Sequence, residues 1–223
     1  DHVACDSQTN LEVLREAGIK TSARVLSLAV HSKLTAPEAK PSFNDDILRI
    51  AYIGRFVRSK GPTELVAAIR NVLKCHPTQT IRVNMIGNVN FSDAGILEEL
   101  HKSIVKLNAA YPKAVHLEIH GNATDQQKMR VLEEADLFVL PTYHEGFCVP
   151  IIEALSSGCR VITYDNSNTP AISGGLADLV PTGDVNALSD ALNRAIDEIN
   201  SLGWRKMGYQ RYCANSRHYV SKF

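Results

Sequence analysis

The sequence predicts an α/β protein built on a mostly parallel, doubly wound sheet. Short apolar segments that end in glycine or proline alternate with amphipathic helical segments between residues 49 and 164. Strands separated by helices of this length need crossover connections, which place helices on both faces of a parallel sheet. The chain has 223 residues and is 44% hydrophobic and 22% charged, which suits a folded domain with a substantial core.

The charge balance and the cysteines exclude several other classes. The 24 Lys and Arg residues balance the 24 Asp and Glu residues, whereas nucleic-acid-binding proteins usually carry an excess of positive charge, so no nucleic-acid partner is expected. No apolar run approaches the roughly 20 residues that cross a bilayer. The five cysteines are scattered without a C-x-x-C pair, which favours reduced thiols and a cytoplasmic setting. The chain opens on Asp1 without a visible signal peptide, so a truncated start is expected.

The first 46 residues differ in pattern from the rest of the chain. A strand over residues 2–5, a helix over 9–17 and an apolar run over 24–30 predict one β-α-β unit. Residues 34–46 are rich in Pro, Ser, Asn and Asp, a composition typical of a linker or an exposed loop.

The remaining segments predict the main sheet and its helices. Strands are predicted over residues 49–54, 81–87, 115–121, 136–141 and 159–164, and helices over 61–75, 96–107, 126–135 and 149–157. Gly158 is expected to end the last of these helices. A final amphipathic helix follows residues 179–184. Residues 203–223 are predicted to be helical, with Trp204, Tyr209 and Tyr212 among the aromatic side chains that cover a neighbouring surface.

Ligands of doubly wound sheets bind outside the carboxyl ends of the strands, so the loops at that edge are the candidate sites. The first loop carries Arg55, Arg58 and Lys60 between a strand and a helix. Arginine and lysine beside a helix N-terminus form an anion site. The alternative interpretation, solvated loop charges, stays open from this loop alone. The segment contains neither a P-loop nor a G-x-G-x-x-G dinucleotide motif.

The loop after the fourth strand of this series contains two carboxylates, Glu145 and Glu153, with seven residues between them. Pro150 suits the first turn of a helix, so Glu145 precedes that helix and Glu153 lies about one turn inside it. Both acids could simply stabilise the positive end of the helix dipole. However, apolar residues flank Glu153, and an acid in such a position needs a polar partner such as a ligand hydroxyl. The adjacent His144 is a candidate to face the same pocket.

These segments together resemble the C-terminal, donor-binding half of retaining family 4 glycosyltransferases of the GT-B fold. The resemblance rests on Gly54-Arg55, Lys60-Gly61 and the E-x7-E element from Glu145 to Glu153, which runs on into Ala-Leu-Ser-Ser-Gly. Further matching segments follow in order: Ile86-Gly87, His120-Gly121, and residues 135–141, 158–163 and 179–184. The resemblance covers nearly the whole chain and implies a Rossmann-like, doubly wound parallel sheet.

The resemblance also implies a role for each matching residue. Arg55 and Lys60 correspond to the pair that neutralises the donor diphosphate, and Glu145 to the acid beside the donor sugar; these three are the expected catalytic residues. Glu153 corresponds to the acid that binds the ribose hydroxyls. The implied donor-binding residues are Gly54, Arg55, Lys60, Gly87, Asn88, Gly121, Asn122, Gly146, Phe147, Cys148, Val149 and Glu153. No metal and no cofactor are implied, because cationic side chains and a helix dipole stabilise the leaving group.

Two positions depart from the family pattern, and the chain is short. Cys148 stands where the family usually has the second glycine of Glu-Gly-Phe-Gly, and residues 167–171 stand where it often has Gly-Gly-x-Pro-Glu. Residues 1–46 are expected to be the end of an N-terminal domain and an interdomain linker. Residues 47–202 are the expected nucleotide-sugar-binding domain, and residues 203–223 the expected tail helix. We therefore expect a fragment that binds a nucleotide sugar but does not transfer it alone.

The implied function is the transfer of a hexose from a nucleoside diphosphate sugar to a hydroxyl group, in polysaccharide biosynthesis. The acceptor, a glycan or a lipid-linked glycan, would bind through the missing N-terminal domain. The full-length enzyme would be cytoplasmic or peripheral at the inner membrane face. Two alternatives stay open: a non-catalytic nucleotide-sugar-binding subunit and a GT-B nucleotide-sugar epimerase. The E-x7-E spacing argues against the epimerase, and an acceptor domain encoded upstream would argue against the subunit.

Overall fold

The computed structural model describes residues 2–26 and 35–223. The elements in chain order are β1 (His2–Cys5), α1 (Gln8–Glu16), β2 (Ser22–Val25), α2 (Ser42–Asp45), β3 (Ile47–Ile53), α3 (Pro62–Cys75), β4 (Thr80–Gly87), α4 (Ala94–Ala110), β5 (Val115–Gly121), α5 (Asp125–Glu134), β6 (Leu137–Leu140), α6 (Val149–Ser156), β7 (Arg160–Tyr164), α7 (Thr169–Ser173), β8 (Ala177–Val180), α8 (Val185–Asn200) and α9 (Tyr209–Val220). Part of the apolar run predicted over residues 24–30 lies outside the described residues, as does residue 34 of the predicted linker.

The main sheet has six strands in the order β5-β4-β3-β6-β7-β8, and all its strand pairs are parallel. The predicted fold class is therefore confirmed. The chain runs outward from β3 to β5 on one side and from β6 to β8 on the other. After β3 and after β6 the chain leads to opposite sides of the sheet, and the crevice at this switch point is where ligands of such sheets bind. A separate two-stranded parallel sheet joins β1 and β2.

Burial along the strands shows where helices cover the sheet. Every residue of β6 is buried, and only the first residue of β3 is not, because helices pack on both faces of these central strands. Along the edge strand β5, His116 and Glu118 are exposed, so one face of this edge is open. On the helical side, α3 packs against α4 and α8, and α6 packs against α7 and α9.

Local signals define several helix boundaries. A capping box joins Thr124 and Gln127 at the start of α5, and Asp93 and Asp184 cap α4 and α8. The structure confirms that α6 ends before Gly158, whose φ of +71° is the left-handed conformation that glycine adopts without a penalty. Strand β8 was not among the predicted strands, because it is a short edge strand with a single buried residue and therefore has little apolar pattern.

The described part of the predicted linker is not a solvent-exposed loop throughout. Lys40 is 1% exposed, and its ammonium group donates to the carbonyl oxygens of Ser157 (2.8 Å) and Glu133 (3.0 Å). Ser42 is also buried and donates to the Asp136 carboxylate at 2.5 Å. Composition predicted exposure here because it does not register partners that lie more than 90 residues away in the chain. The division of the chain at residue 46 stays a prediction.

The C-terminal segment is helical, as predicted, and begins with a π-helical turn (Trp204–Gly208). Its aromatic side chains pack on the α/β domain itself. Tyr209 donates to the Pro37 carbonyl oxygen at 3.1 Å, and Tyr212 donates to that of Cys159 at 2.9 Å. Within the described ranges, 2–26 and 35–223, no helix combines the length and apolar character needed to span a membrane.

Candidate functional site

The carboxyl ends of β3, β4 and β5 surround a cavity of about 380 Å³. Its lining residues are Ile53, Gly54, Arg55, Ile86, Gly87, Asn88, Asn122 and Ala123. Five of them, Gly54, Arg55, Gly87, Asn88 and Asn122, are among the residues that the sequence nominated for donor binding. The register brings these positions together, because Ile53 pairs with Ile86 and Gly87 pairs with Gly121 on adjacent strands.

Glycines shape this cavity because the backbone segments approach closely. A side chain at Gly87 would overlap the carbonyl oxygen of Gly54, and one at Gly121 would lie 2.9 Å from a methyl group of Val89. Asn122 has a φ of +54°, and its backbone N–H donates to the Gly87 carbonyl oxygen at 3.0 Å. Asparagine tolerates this left-handed conformation better than most residues, so its side-chain type suits the turn.

The loops after β3 and β6 meet across the crevice. The Lys60 ammonium group lies 2.7 Å from Oε1 of Glu145 and 3.1 Å from the His144 carbonyl oxygen. Glu145 is 8% exposed, so its pairing with Lys60 compensates the cost of burying the carboxylate. The backbone N–H of Tyr143 also donates to the Ser59 carbonyl oxygen at 2.8 Å. The sequence-predicted residues Lys60 and Glu145 thus share one site although 84 residues separate them.

Gly61 allows this close approach of the two loops. It has a φ of +61°, and a side chain there would overlap the carbonyl oxygen of Pro141. It also directly precedes the 14-residue helix α3, whose N-terminus carries the positive end of the helix dipole. Arg55 and Arg58 are exposed, and the Arg55 guanidinium makes no hydrogen bond or ion pair with the rest of the described chain. This edge of the sheet can therefore attract an anion.

Glu153 and Lys128 form a second ion pair at the same edge, with 2.7 Å between Lys128 Nζ and Glu153 Oε1. Both side chains are largely buried, at 24% exposed for Lys128 and 14% for Glu153. Lys128 lies in the first turns of α5, and Glu153 in the second turn of α6. Lys128 was not among the residues predicted from the sequence. A signal was present, however, because a lysine near a helix N-terminus opposes the helix dipole and so calls for an acidic partner.

The loop from Gly146 to Val149 positions the start of α6. Cys148 is the residue before the helix and has a φ of +69°, which explains why glycine is the expected residue at this position. Its side chain is 6% exposed, and burial raises the pKa of the Cys148 thiol well above its usual range, with the Glu145 charge acting in the same direction. The thiol is therefore neutral. Phe147 is buried and packs edge-to-face on Phe223, with 5.8 Å between ring centroids.

Two residues of the N-terminal unit reach this loop and were not predicted. A side chain at Gly146 would lie 2.9 Å from Nδ2 of Asn10 and 3.4 Å from Oδ2 of Asp6. Asn10 donates to Asp6 at 2.6 Å. Neither residue belongs to a recognisable motif, so only the packing of α1 against the loop reveals them.

The segment after β7 completes the rim of the crevice. His144 Nδ1 lies 3.0 Å from Oγ of Ser167, which has a φ of +46°. Asn168 is buried and donates to the Phe147 carbonyl oxygen at 3.3 Å. His144 therefore lies at the rim, held by the segment that departs from the family pattern.

Taken together, the carboxyl edge offers cationic groups for an anion and carboxylates for hydroxyl groups. Arg55 and Lys60 are the cations, and Glu145 and Glu153 are the carboxylates. Among residues 2–26 and 35–223, no cluster of three or more His, Cys, Asp or Glu side chains is arranged to hold a metal ion. A larger cavity of about 580 Å³ lies on the open face of β4 and β5, but its lining mixes Arg82, Lys113, Glu118 and Glu134 and lies away from the switch point.

Known proteins of similar sequence are glycosyltransferases. The family described as "Glycosyl transferases group 1" matches residues 36–209. A D-inositol 3-phosphate glycosyltransferase of Corynebacterium jeikeium (strain K411) is 28% identical over 149 residues, which cover 66% of this chain and 35% of the relative. An O-antigen chain mannosyltransferase B of Escherichia coli is 26% identical over 99 residues, 44% of this chain and 25% of the relative.

Solved structures share the whole of the described fold. The sucrose-phosphate synthase of Thermosynechococcus elongatus superposes with a TM-score of 0.74 at 25% identity, and the match covers 100% of this chain and 54% of that one. The chain spans about a third of the length of the inositol phosphate glycosyltransferases it matches.

Proposed function

The chain belongs to the group 1 glycosyltransferase family, and we propose that it is the donor-binding half of a retaining enzyme that transfers a hexose from a nucleoside diphosphate sugar to a hydroxyl group. Its six-stranded parallel sheet is that of one half of a GT-B glycosyltransferase. The chain spans only part of the length of its relatives, so we also propose, rather than infer from the family alone, the activity, substrates and partners of the whole protein.

One observation carries the proposal: Lys60 and Glu145 meet at the switch point of the sheet, 2.7 Å apart. A donor sugar nucleotide presents a dianionic diphosphate next to a polyhydroxylated ring. A cation and a carboxylate side by side match the junction between these two groups. Lys60 and Glu145 neutralise each other through this contact, and the donor would replace it with one contact to each of them.

The diphosphate is assigned to Arg55, Lys60 and the N-terminus of α6. The guanidinium fork of Arg55, uncommitted within the described residues, matches phosphate oxygens, and the ammonium group of Lys60 adds a point charge. The backbone N–H groups of Phe147, Cys148 and Val149 are not needed for hydrogen bonds inside the first turn of α6. The leaving group departs with developing negative charge, so fixed donors that face it lower the barrier without a metal ion.

The nucleoside is assigned to the cavity at the ends of β3, β4 and β5. Three of the five residues assigned to it have no side chain, so Gly54, Gly87, Asn88, Gly121 and Asn122 contact the nucleotide mainly through main-chain groups. Glu153 accepts hydrogen bonds from the ribose hydroxyls. Its carboxylate belongs to the second turn of α6, at the same edge of the sheet.

The donor sugar is assigned to Glu145 and the backbone of Gly146 and Phe147. Glu145 orients the ring through its hydroxyls. The Cys148 thiol is buried beside the Glu145 carboxylate, so the residue that replaces the family's second glycine adjoins the proposed sugar site.

The acceptor is a glycan or lipid-linked glycan that binds outside this half, at the inner face of a membrane. Names of two relatives support this class, since one is an inositol phosphate glycosyltransferase and the other an O-antigen chain mannosyltransferase. Asp6 and Asn10 of the N-terminal unit lie beside Gly146 of the proposed donor loop. Closure of two halves across the donor would exclude water and limit hydrolysis.

Calorimetric titration of residues 1–223 with UDP, GDP, ADP and CMP tests the proposal. We expect selective binding of one nucleoside diphosphate, followed by tighter or equal binding of one of its hexose conjugates. The Glu153→Ala variant should weaken that binding, whereas Glu98→Ala, which removes a carboxylate from an exposed ion pair on α4, should not. If none of the four nucleotides binds, the donor-binding assignment is wrong. Binding of the diphosphate without any sugar preference would favour a nucleotide-binding subunit instead.

A further inference from the structure

Lys128 is the feature of this crevice that neither the sequence motif nor the family assignment explains. It occupies the fourth position of α5, where the helix dipole disfavours a cation. Asp125, in the first turn, lies 3.9 Å away and is 95% exposed, so it is a weak partner. The side chain instead extends to α6 and places its ammonium group on Glu153.

The pairing leaves half of the Glu153 carboxylate available. Lys128 donates to Oε1, while Oε2 accepts no hydrogen bond from any residue in the described ranges 2–26 and 35–223. An ionised carboxylate has about four acceptor sites, so the lysine uses only a part of this capacity. The ammonium group likewise has three N–H donors, and one of them is directed at Glu153.

A donor and an acceptor held side by side match a vicinal diol. Each ribose hydroxyl can donate to a carboxylate and accept from an ammonium group. Lys128 also restricts the Glu153 side chain to one position, which lowers the entropy cost of binding. A glutamate without this partner would face the diol as an acceptor alone.

We infer that Lys128 is a specificity-determining residue of the donor site, which holds the Glu153 carboxylate and together with it recognises the intact 2′,3′-diol of the nucleoside diphosphate. The inference rests on the proposed function, because it assigns the ribose to Glu153. It adds Lys128 to the residues of the donor site, and it requires that the donor carry an intact 2′,3′-diol. A 2′-deoxynucleotide lacks one of the two hydroxyls and leaves polar groups of Lys128 and Glu153 without a hydrogen-bond partner. A site built to bind that hydroxyl therefore binds the deoxynucleotide more weakly.

The test compares a nucleoside diphosphate with its 2′-deoxy form. Wild type, Lys128→Met, Lys128→Arg and Lys102→Met are titrated with the nucleoside diphosphate that binds among UDP, GDP and ADP, and with the corresponding 2′-deoxynucleoside diphosphate. Lys102→Met is the matched control, because it removes a lysine from an exposed ion pair with Glu98 on α4. Thermal unfolding of each variant shows that it is folded at the temperature of the titration.

We expect wild type to bind the ribonucleotide about tenfold more tightly than the deoxynucleotide, a difference typical of one hydrogen bond to charged groups. Lys128→Met should bring this ratio close to one by weakening the ribonucleotide, while Lys128→Arg retains most of the preference and Lys102→Met all of it. A merely structural role would weaken both nucleotides equally and leave the ratio unchanged, which overturns the inference. An unchanged affinity for both also overturns it. If wild type binds no nucleoside diphosphate at all, the proposed function itself is wrong.

Discussion

Lys40 and Lys60 lie at opposite ends of the same parallel sheet and use the same ammonium group in different ways. Lys40, at the amino ends of β6 and β7, is 1% exposed and donates to the carbonyl oxygens of Leu132, Glu133 and Ser157. These carbonyls lie at the C-terminal ends of α5 and α6, where the helix dipole is negative and the last acceptors have no partner within the helix.

Lys60, at the carboxyl ends of β3 and β6, faces a single carboxylate and a single carbonyl oxygen. Its side chain keeps 16% of its surface exposed, so a ligand can reach it. Both side chains are mostly buried, so exposure is not the main difference between the scaffold lysine and the lysine proposed to bind the donor. The difference lies in the partners, since backbone acceptors are fixed while a neighbouring carboxylate can exchange its partner for a ligand.

The largest expected effect is a loss of protein stability on replacing Lys40, at the amino ends of β6 and β7. Replacing Lys40→Met leaves the three carbonyl oxygens without their buried donor, and we expect the free energy of unfolding to fall by about 3 kcal/mol. Urea unfolding monitored by circular dichroism measures this. Nucleotide affinity of the folded variant should stay within about twofold of wild type. A loss of nucleotide affinity with unchanged stability would contradict the structural role of Lys40.

The second effect concerns binding at the carboxyl end. Lys60→Met should weaken a nucleoside diphosphate by about 10- to 100-fold, because a charge-assisted contact to phosphate is lost, and should weaken the corresponding nucleoside less than about twofold. Isothermal titration with both ligands gives the two ratios. Lys102→Met serves as the control for the loss of an exposed positive charge. Equal losses of affinity for the nucleoside and the nucleoside diphosphate would contradict the assignment of Lys60 to the phosphate site.

The third prediction concerns the backbone at the start of α6. Cys148 has a φ of +69°, so Cys148→Gly should be about 1 kcal/mol more stable than Cys148→Ala, which keeps the strained side chain. At Cys159 we expect the opposite: Cys159→Ala should be more stable than Cys159→Gly, because this buried residue is not among those with a positive φ. Thermal or urea unfolding of the four variants measures both differences. Equal stabilities of the two Cys148 variants would mean that the residue relaxes out of this conformation.

The smallest expected effect is a pH dependence of the free energy of unfolding, caused by Asp45 near the amino end of β3. The ion pair with Arg49 lowers the pKa of Asp45 from 3.8 to about 2. A carboxyl whose pKa is lower in the folded state stabilises the fold above its ordinary pKa, and this contribution disappears as the pH falls from about 4 to 2. Asp45 is partly exposed, so Asp45→Asn should cost no more than about 0.5 kcal/mol at pH 6 and nothing at pH 2. Urea unfolding at the two pH values tests this, and a difference that persists at pH 2 would point to a cause other than the charge.

Much of the fold followed from local patterns. The alternation of strands and helices predicted the parallel sheet, and the glycines that end β4 and β5 marked the edge that lines the cavity. Lys60 and Glu145 were nominated separately by their loops, and the structure brings them together. Their roles in donor binding stay predictions, as do those of the other nominated site residues.

Other features depended on contacts between distant segments. Composition predicted an exposed linker before β3. In the structure Ser42 is buried against Asp136, 94 residues away in the chain, and Lys40 against Ser157, 117 residues away. Lys128 carried no motif, and its pairing with Glu153 exists only because α5 and α6 start at the same edge of the sheet. Asn10 approaches Gly146 only through the packing of the N-terminal unit.

Periodicity and turn chemistry are local properties, so the amino-acid order alone was sufficient to predict most of the strands and helices and the edge of the sheet that holds the candidate site. Which charged groups meet there depends on the strand order β5-β4-β3-β6-β7-β8, which places the loop after β3 beside the loop after β6. Strand order arises from the packing of the whole chain. Only the tertiary structure therefore decided that Lys60 meets Glu145 in the crevice, that Lys128 holds Glu153, and that Lys40 serves the scaffold.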